Sequence, residues 1–191
     1  WMYGLERGTF GRFTDKEYET FWAIWTQDGK RIVFNSNLHG EPAVNLFWKM
    51  SDGTGSIESI VKSPFHQQPK TWSKDGKWLI YTEGIHPETG MDIWLVQVEG
   101  DDTIPKPFLN SRFNETHPII SPDGQWLAYV SDETGREEVF VCSFPERKRI
   151  TQISTVGGME PLWAPDGKDI YFRDVTGDNL MDVSFTSDPD L

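Results

Sequence analysis

An Asp-Gly turn recurs four times along this 191-residue chain at a nearly constant spacing. The four segments read IWTQDGKRIVFNSN, TWSKDGKWLIYTEG, ISPDGQWLAYVSDETG and LWAPDGKDIYFRDVTG. Their turn glycines, Gly29, Gly76, Gly124 and Gly167, lie 47, 48 and 43 residues apart. An aliphatic residue follows each glycine by three positions and an aromatic residue follows it by five. A register that holds at so many positions identifies an internal repeat, and a repeat restricts the fold to architectures built from one recurring unit.

The residues around each Asp-Gly pair predict a tight hairpin. In the third copy, Ser121, Pro122, Asp123 and Gly124 suit the successive corners of a type I turn, with glycine where φ is positive. Such a turn is a common connection between antiparallel strands. The following segment, WLAYV at 126–130, has apolar residues at both alternating positions. We therefore expect both faces of the sheet to be buried.

Each repeat has room for four short strands. In the second repeat a polar loop (Thr82-Glu83-Gly84), a third apolar strand (93–95) and a more polar fourth strand (107–109) follow the hairpin. Four antiparallel strands in 43 to 48 residues, buried on both faces, are typical of a propeller blade. The sequence thus predicts an all-β protein, a β-propeller of four-stranded antiparallel blades with about four blades represented, as a partial ring or a small propeller.

The repeat register also predicts where each blade begins and ends. Residues 1–14 are expected to end a preceding blade, 15–63, 64–110 and 111–155 to form complete blades, and 156–191 to form an incomplete one. The whole chain is then a single propeller domain or a fragment of one. An open arc exposes apolar faces at both ends, so a homo-oligomer formed through those faces is one expected consequence.

Charge and composition argue against several kinds of partner. The formal net charge of −12 is repelled by phosphate backbones and anionic lipid surfaces, so we expect no binding of nucleic acid. The longest apolar run, FWAIW at 21–25, is far shorter than a membrane-spanning helix, so we expect no membrane insertion. With Cys142 as the single cysteine, no internal disulfide and no thiolate zinc cluster can form within one chain.

The turn segments resemble those of the TolB-like β-propellers of bacteria, a WD-repeat-like group. Their Trp-Ser-Pro-Asp-Gly signature is matched by WSKDGK at 72–77, SPDGQ at 121–125 and WAPDGK at 163–168. The stretch from Phe108 to Ser184 is most similar to the propeller appended to bacterial serine/threonine protein kinases. The resemblance implies a module that recognises a protein, a peptide or a small ligand, in the periplasm or another extracytoplasmic compartment of a bacterium.

The chain has no recognisable catalytic motif. It contains no kinase glycine-rich loop, no His-Arg-Asp, no Asp-Phe-Gly and no Gly-x-Ser-x-Gly elbow. We therefore expect a non-catalytic binding or scaffold module, with a protein or peptide partner and no cofactor. The alternatives are a metal-dependent propeller enzyme such as a polyuronate lyase, and the gating propeller of a serine peptidase.

The four histidines are the residues that a metal-dependent enzyme would use. His39 and His86 each follow their turn glycine by ten positions, between the second and third strands. His66 and His117 precede the first strands of their blades. Both kinds of loop leave the blade on the face opposite the Asp-Gly turns. One hypothesis makes these four histidines ligands of a divalent ion, and the simpler one makes them solvated loop residues with no metal.

Two glutamates lie near those histidines in the repeat. Glu115 and Glu160 fall just before or within first strands, where a side chain is close to the central channel. The candidate binding face therefore consists of His66, Glu115, His117 and Glu160.

The tryptophans fall into two groups by their repeat positions. Trp25, Trp72 and Trp163 each precede the turn aspartate by three residues, so they are predicted to be core residues. Trp22 lies within a first strand and is predicted to pack between blades.

Overall fold

The structure is a computed structural model that describes residues 1–6, 8–14, 17–98 and 103–186, with only the backbone of His39. Within these residues nearly all regular structure is β, and the single helical element is a 3₁₀ turn at Leu38–Gly40. None of the described residues forms a helix that is both long enough and apolar enough to cross a bilayer. Residue contacts divide the chain into two compact units, 1–69 and 70–191.

The first unit contains a hairpin and a four-stranded sheet. The hairpin pairs β1 (Met2–Gly4) with β2 (Thr9–Gly11). The sheet has the antiparallel order β3-β4-β5-β6, with β3 at Thr20–Trp25, β4 at Arg31–Ser36, β5 at Asn45–Met50 and β6 at Glu58–Val61.

Three more sheets follow along the chain. One has the order β10-β9-β8-β7, and its strand β7 contains the boundary between the units. Its strands are β7 (His66–Trp72), β8 (Trp78–His86), β9 (Gly90–Gln97) and β10 (Pro105–Leu109). The next sheet consists of β11 (Glu115–Ile120), β12 (Trp126–Ser131), β13 (Glu138–Ser143) and β14 (Ile150–Gln152). The last consists of β15 (Met159–Trp163), β16 (Asp169–Arg173) and β17 (Leu180–Ser184).

The polar loop predicted at residues 82–84 is wrong. β8 continues through these residues to His86, with Thr82 opposite Ile93 and Glu83 opposite Asp92. Both Thr82 and Glu83 are buried. The prediction of a loop failed because it relied on the polar character of these residues, whereas Thr82 and Glu83 are buried within β8.

The repeated turn has the same backbone hydrogen bond in all four copies, and the three copies with Ser or Thr at the first corner add two side-chain hydrogen bonds. In the third copy the Gly124 N–H donates to the Ser121 carbonyl at 2.9 Å, and Gly124 has a φ of 81°. The Ser121 hydroxyl donates to Asp123 Oδ1 and accepts the Trp126 N–H at 3.0 Å. In the first copy Thr26 makes the equivalent bonds, so the departure of that copy from the Ser-Pro pattern leaves the turn intact.

The prediction that both sheet faces are buried is confirmed for the β11–β14 sheet. On one face Leu127, Tyr129 and Phe140 belong to a core cluster with Ile80 and Ile93 of the preceding sheet. On the other face the cluster is formed with the following sheet, and its fully or nearly fully buried members are Ala128, Val130, Val139, Val141, Trp163, Ile170 and Phe172. Alternate residues of one strand thus serve two different cores.

The fourth turn offers a direct test of the hydroxyl in this motif. Ala164 occupies the position of Ser121 and is buried to a similar extent, so Ala164→Ser should add hydrogen bonds to Asp166 and to the Asp169 N–H. We expect a gain of about 1 kcal/mol in the free energy of unfolding, measured by urea titration. The matched control, Ser121→Ala, should lose a similar amount. An Ala164→Ser variant no more stable than the parent would show that the hydroxyl does not organise this turn.

Candidate functional site

The first strands of neighbouring sheets form an inner edge in the 70–191 unit. β11 and β15, the first strands of two successive sheets, contact each other. The fourth strand β14 is exposed at all three of its residues. Sheets that approach at their first strands and expose their fourth strands are arranged radially, as blades are. Side chains on the first strands therefore lie at the inner edge.

A bulge interrupts three first strands at one repeat position. The pairing register shifts between Phe21 and Ala23, between Thr116 and Ile119, and between Met159 and Leu162. Each of these register shifts includes the residue that precedes the turn glycine by seven positions. That residue has a positive φ in all three strands: 33° at Trp22, 51° at His117 and 53° at Glu160. Residues other than glycine rarely adopt a positive φ. Backbone strain of this kind is concentrated at functional sites. The second repeat has Pro69 here, whose ring fixes φ at a negative value.

His117 lies in a mixed electrostatic environment. Its side chain is solvent-accessible, and its Nδ1 is 3.0 Å from the Thr116 hydroxyl. Partial burial lowers the pKa of His117, and the Lys70 ammonium lowers it further, while the carboxylates of Glu160 and Glu137 partly offset both effects. Lys70 on β7 is half-buried, and this desolvation lowers the pKa of its own ammonium group. Both positive and negative charges near the imidazole therefore affect its pKa.

Glu160 is held by an arginine of the adjacent strand. Arg173 Nη1 donates to Glu160 Oε2 at 3.0 Å, while Arg173 Nη2 donates to the Gly177 carbonyl at 2.9 Å. About half of each side chain in the ion pair is exposed, so the pair contributes at most about 1 kcal/mol to stability. Its effect is to fix the direction of the Glu160 carboxylate at the inner edge.

Glu115 does not belong to the exposed face that the sequence suggested. Its side chain is only 3% exposed and accepts hydrogen bonds from both the hydroxyl and the backbone N–H of Ser111. Burial raises the pKa of Glu115, and the nearby Asp92 carboxylate raises it as well. The carboxylate therefore fastens the chain that leads into β11.

His86 lies at the end of β8 and not in a loop. Its Nε2 is 3.3 Å from Glu83 Oε1 and 3.5 Å from Asp92 Oδ2, and both of these carboxylates are buried. The Thr89 hydroxyl donates to the same Asp92 oxygen at 2.8 Å. Burial raises the pKa of Asp92. These contacts link β8 to β9 and direct the ring into the protein.

The other two histidines lie in the first unit. His66 is the first residue of β7 and does not precede it; it is exposed, and its Nδ1 accepts the Val44 N–H at 3.2 Å. His39 lies in the 3₁₀ turn, and its side chain is outside the described residues. No group of three or more His, Cys, Asp or Glu side chains in the described part of the chain is arranged to hold a metal ion.

Sequence reasoning missed two contributors to the inner edge of the 70–191 unit. Lys70 lies on β7 and Arg173 lies on β16 beside β15, and neither matched a motif. The repeat register could have identified the bulge position, because Trp22 of the first unit, His117 and Glu160 all occupy it. The lysine and the arginine are brought there by packing of separate strands, which no spacing in the sequence indicates.

Comparison with known proteins supports the fold. No family model and no curated protein matches the chain. Among solved structures, a protein assigned as TolB from Agrobacterium tumefaciens has a TM-score of 0.65 at 19% identity, over 84% of this chain and 64% of its own. TolB from Acinetobacter baumannii has a TM-score of 0.69 at 18% identity, over 92% of this chain and 46% of its own. This chain has the β-propeller fold.

The structural neighbours also include an enzyme. An oligogalacturonate lyase in complex with manganese has a TM-score of 0.69 at 13% identity, over 90% of this chain and 49% of its own. At such identities the similarity shows the fold alone. The chain spans about half to two thirds of the length of these propellers. The predicted all-β propeller of four-stranded blades is confirmed.

The environment of His117 predicts its titration. The pKa of His117 should lie below its ordinary value of 6.5 in the folded protein. The unfolded chain therefore binds a proton at this residue more tightly than the folded chain does. The free energy of unfolding should decrease as the pH falls below about 6.5. Lys70→Met should raise the pKa of His117, because it removes a positive charge that disfavours the imidazolium. Glu160→Gln should lower this pKa, because it removes a negative charge that favours the imidazolium. NMR of the imidazole protons, assigned with His117→Gln, measures both. Shifts of the same sign in the two variants would contradict this description of the site.

Proposed function

We propose that this propeller segment is a non-catalytic recognition module that binds a protein or peptide partner at the inner edge of its sheets. The observation that carries the proposal is the bulge that recurs at one repeat position and presents His117 and Glu160 in the 70–191 unit, with Trp22 at the equivalent position of the first unit. Three strained residues at equivalent positions are difficult to explain by folding alone, because each costs about 1 to 3 kcal/mol.

The chemistry of the bulge position fits recognition. Its occupants differ in every repeat, namely an indole, a pyrrolidine, an imidazole and a carboxylate, whereas the Asp-Gly turn is the same in all four. Repeat proteins, and proteins that bind through loops on a rigid scaffold, distinguish partners by varying side chains on a constant framework. Because the sheets are rigid, a partner that binds these side chains does not have to order them, which preserves binding free energy.

The partner class follows from charge and from the family resemblance. A chain with a net charge of −12 favours protein surfaces over nucleic acid. The resemblance to propellers appended to bacterial protein kinases supports the finer proposal that this segment is the sensor region of a larger protein. The greater length of its structural neighbours is consistent with further propeller strands outside these residues.

Site-specific cross-linking tests the position of binding. A photoreactive benzoylphenylalanine at position 117 or 160 should capture the partner in cells, whereas the same residue at Ile150 should not, because Ile150 lies on the exposed outer strand β14. With the captured partner, His117→Ala combined with Glu160→Ala should weaken binding by about tenfold or more. Ile150→Ala is the matched control and should leave affinity unchanged. Capture of equal strength from position 150 would show that the inner edge is not the binding site.

Metal analysis distinguishes this function from that of a metal-dependent enzyme. Protein purified without chelator should contain no stoichiometric manganese or calcium. A retained divalent ion that is lost in a His66→Gln or His117→Gln variant would replace the proposal with a catalytic function.

A further inference from the structure

A groove of about 640 Å³ opens to solvent between the Asp-Gly turns of the last two sheets in the 70–191 unit. We call it the turn groove and define it by five of its lining residues: Asp123, Trp126, Asp166, Asp169 and Phe185. Trp126 on β12 and Phe185, directly after β17, meet edge-on with ring centroids 5.3 Å apart. The turn groove therefore combines an aromatic surface with three carboxylates.

Each carboxylate of the turn groove is held by one of its two oxygens. Asp166 Oδ1 accepts the Lys168 N–H at 3.1 Å, and Asp169 Oδ1 accepts the Ser184 hydroxyl at 2.9 Å. Asp123 Oδ1 accepts hydrogen bonds within its own turn. No donor among the described residues bonds to the Oδ2 atom of any of the three. The carboxylates are thus fixed in place and each retains an oxygen that can accept a hydrogen bond from a ligand.

The first two turns neutralise the turn aspartate with a lysine, whereas the last two do not. The lysine two positions after the aspartate pairs with it, at 3.7 Å for Lys30 and at 3.9 Å for Lys77. In the third turn Gln125 takes the place of this lysine. In the fourth turn Lys168 lines the groove, yet it forms no ion pair with any other described residue. Three carboxylates against one ammonium leave the turn groove with an excess of negative charge.

The internal repeat indicates which group covers an indole in this part of a blade. Trp78 and Trp126 each follow their turn glycine by two residues. The Lys106 ammonium lies over the ring of Trp78, 4.1 Å from its centroid. The first repeat has Arg31 at this position, and its guanidinium lies 3.9 Å from the ring centroid of Trp48. Within the described part of the chain no cation lies over Trp126, so the third repeat supplies the indole of a cation–π pair without the cation.

The exposed tryptophans of the first unit lack such a selecting charge. Trp25 is 55% exposed although its equivalents Trp72 and Trp163 are each 6% exposed, and Trp22 is 64% exposed. The predictions that Trp25 is a core residue and that Trp22 packs between blades are therefore wrong. The groove beside these two residues has no charged side chain among its described lining residues, so it does not indicate a partner.

We propose that the turn groove binds an arginine side chain of a protein or peptide partner. A guanidinium is planar, so it can stack on Trp126 while its N–H groups donate to the carboxylates that line the same groove. A lysine ammonium is a compact, strongly hydrated charge that does not combine stacking with paired hydrogen bonds. The turn groove shares no residue with the inner edge, so this site does not depend on the function proposed above.

Titration of the 191-residue chain with short peptides tests the proposal. The probes are capped tripeptides with glycine on either side of arginine, lysine or citrulline, which is the neutral isostere of arginine. Proton–nitrogen NMR spectra follow the Trp126 indole, assigned with Trp126→Phe, and the amide of Gly167. We expect saturable shifts with the arginine peptide, and binding of the citrulline peptide about tenfold or more weaker because it cannot form charge-assisted hydrogen bonds.

Variants of the turns locate the bound arginine. Asp166→Asn and Asp169→Asn keep the Oδ1 acceptor of the existing hydrogen bonds but remove the charge, so each should weaken arginine binding by about fivefold or more. Lys168→Gln should strengthen binding, because it removes a competing cation. The matched control is Asp75→Asn, in the turn where Lys77 already pairs with the carboxylate, and it should leave the affinity unchanged.

Several results would overturn this assignment. They are the lack of a saturable shift with the arginine peptide, equal affinity for the lysine or citrulline peptide, and unchanged affinity in both Asp166→Asn and Asp169→Asn when these variants melt at the temperature of the parent. Loss of arginine binding in His117→Ala combined with Glu160→Ala would also overturn it, because the arginine would then occupy the inner edge. Retained binding in that double variant is the expected result and shows that the two sites are separate.

Discussion

Burial of both faces of a sheet, as in the β11–β14 sheet, is the constraint on which the rest of this structure depends. In the β11–β14 sheet, Leu127 contributes to one core and Ala128 to the other, so neither face can be left in water without losing about 25 cal/mol for each Å² of apolar surface. A sheet of this kind is stable only between two neighbours. The tight Asp-Gly turns matter because they fix the register, and a shift by one residue would exchange the two faces.

The same packing explains why the inner edge is suited to recognition. First strands approach one another there, and the bulges turn His117 and Glu160 out of the regular alternation that would otherwise direct them into a core. The strain is supported by the rigid pairing of the surrounding strands. A side chain held in this way can vary between repeats without disturbing the fold, which separates the residues that build the propeller from those available to a partner.

Several acidic residues that resemble functional groups are structural instead. Glu138 is fully buried and accepts hydrogen bonds from Ser154, Gly157 and Arg136; burial raises its pKa, but these bonds outweigh that effect and hold the pKa below its usual range. Glu115 is bound in a similar way by Ser111. Each carboxylate fastens a segment that connects one sheet to the next. The carboxylates of Glu115 and Glu138 thus satisfy backbone and hydroxyl donors at places where the chain leaves regular structure.

The sequence by itself determined the repeat, the turns, the four-stranded sheets and the burial of both faces of the β11–β14 sheet, because these follow from local turn chemistry and from alternation within a strand. It also placed Glu160 just before or within a first strand, whereas His117, which was predicted to precede the first strand of its blade, lies within β11. Only the tertiary structure decided that Glu115 is buried, that His86 faces two carboxylates, and that Trp25 is exposed although its equivalents are core residues. The physical reason is that these properties depend on which neighbour packs against a residue, and identical positions in a repeat have different environments when different strands of the described chain pack against them.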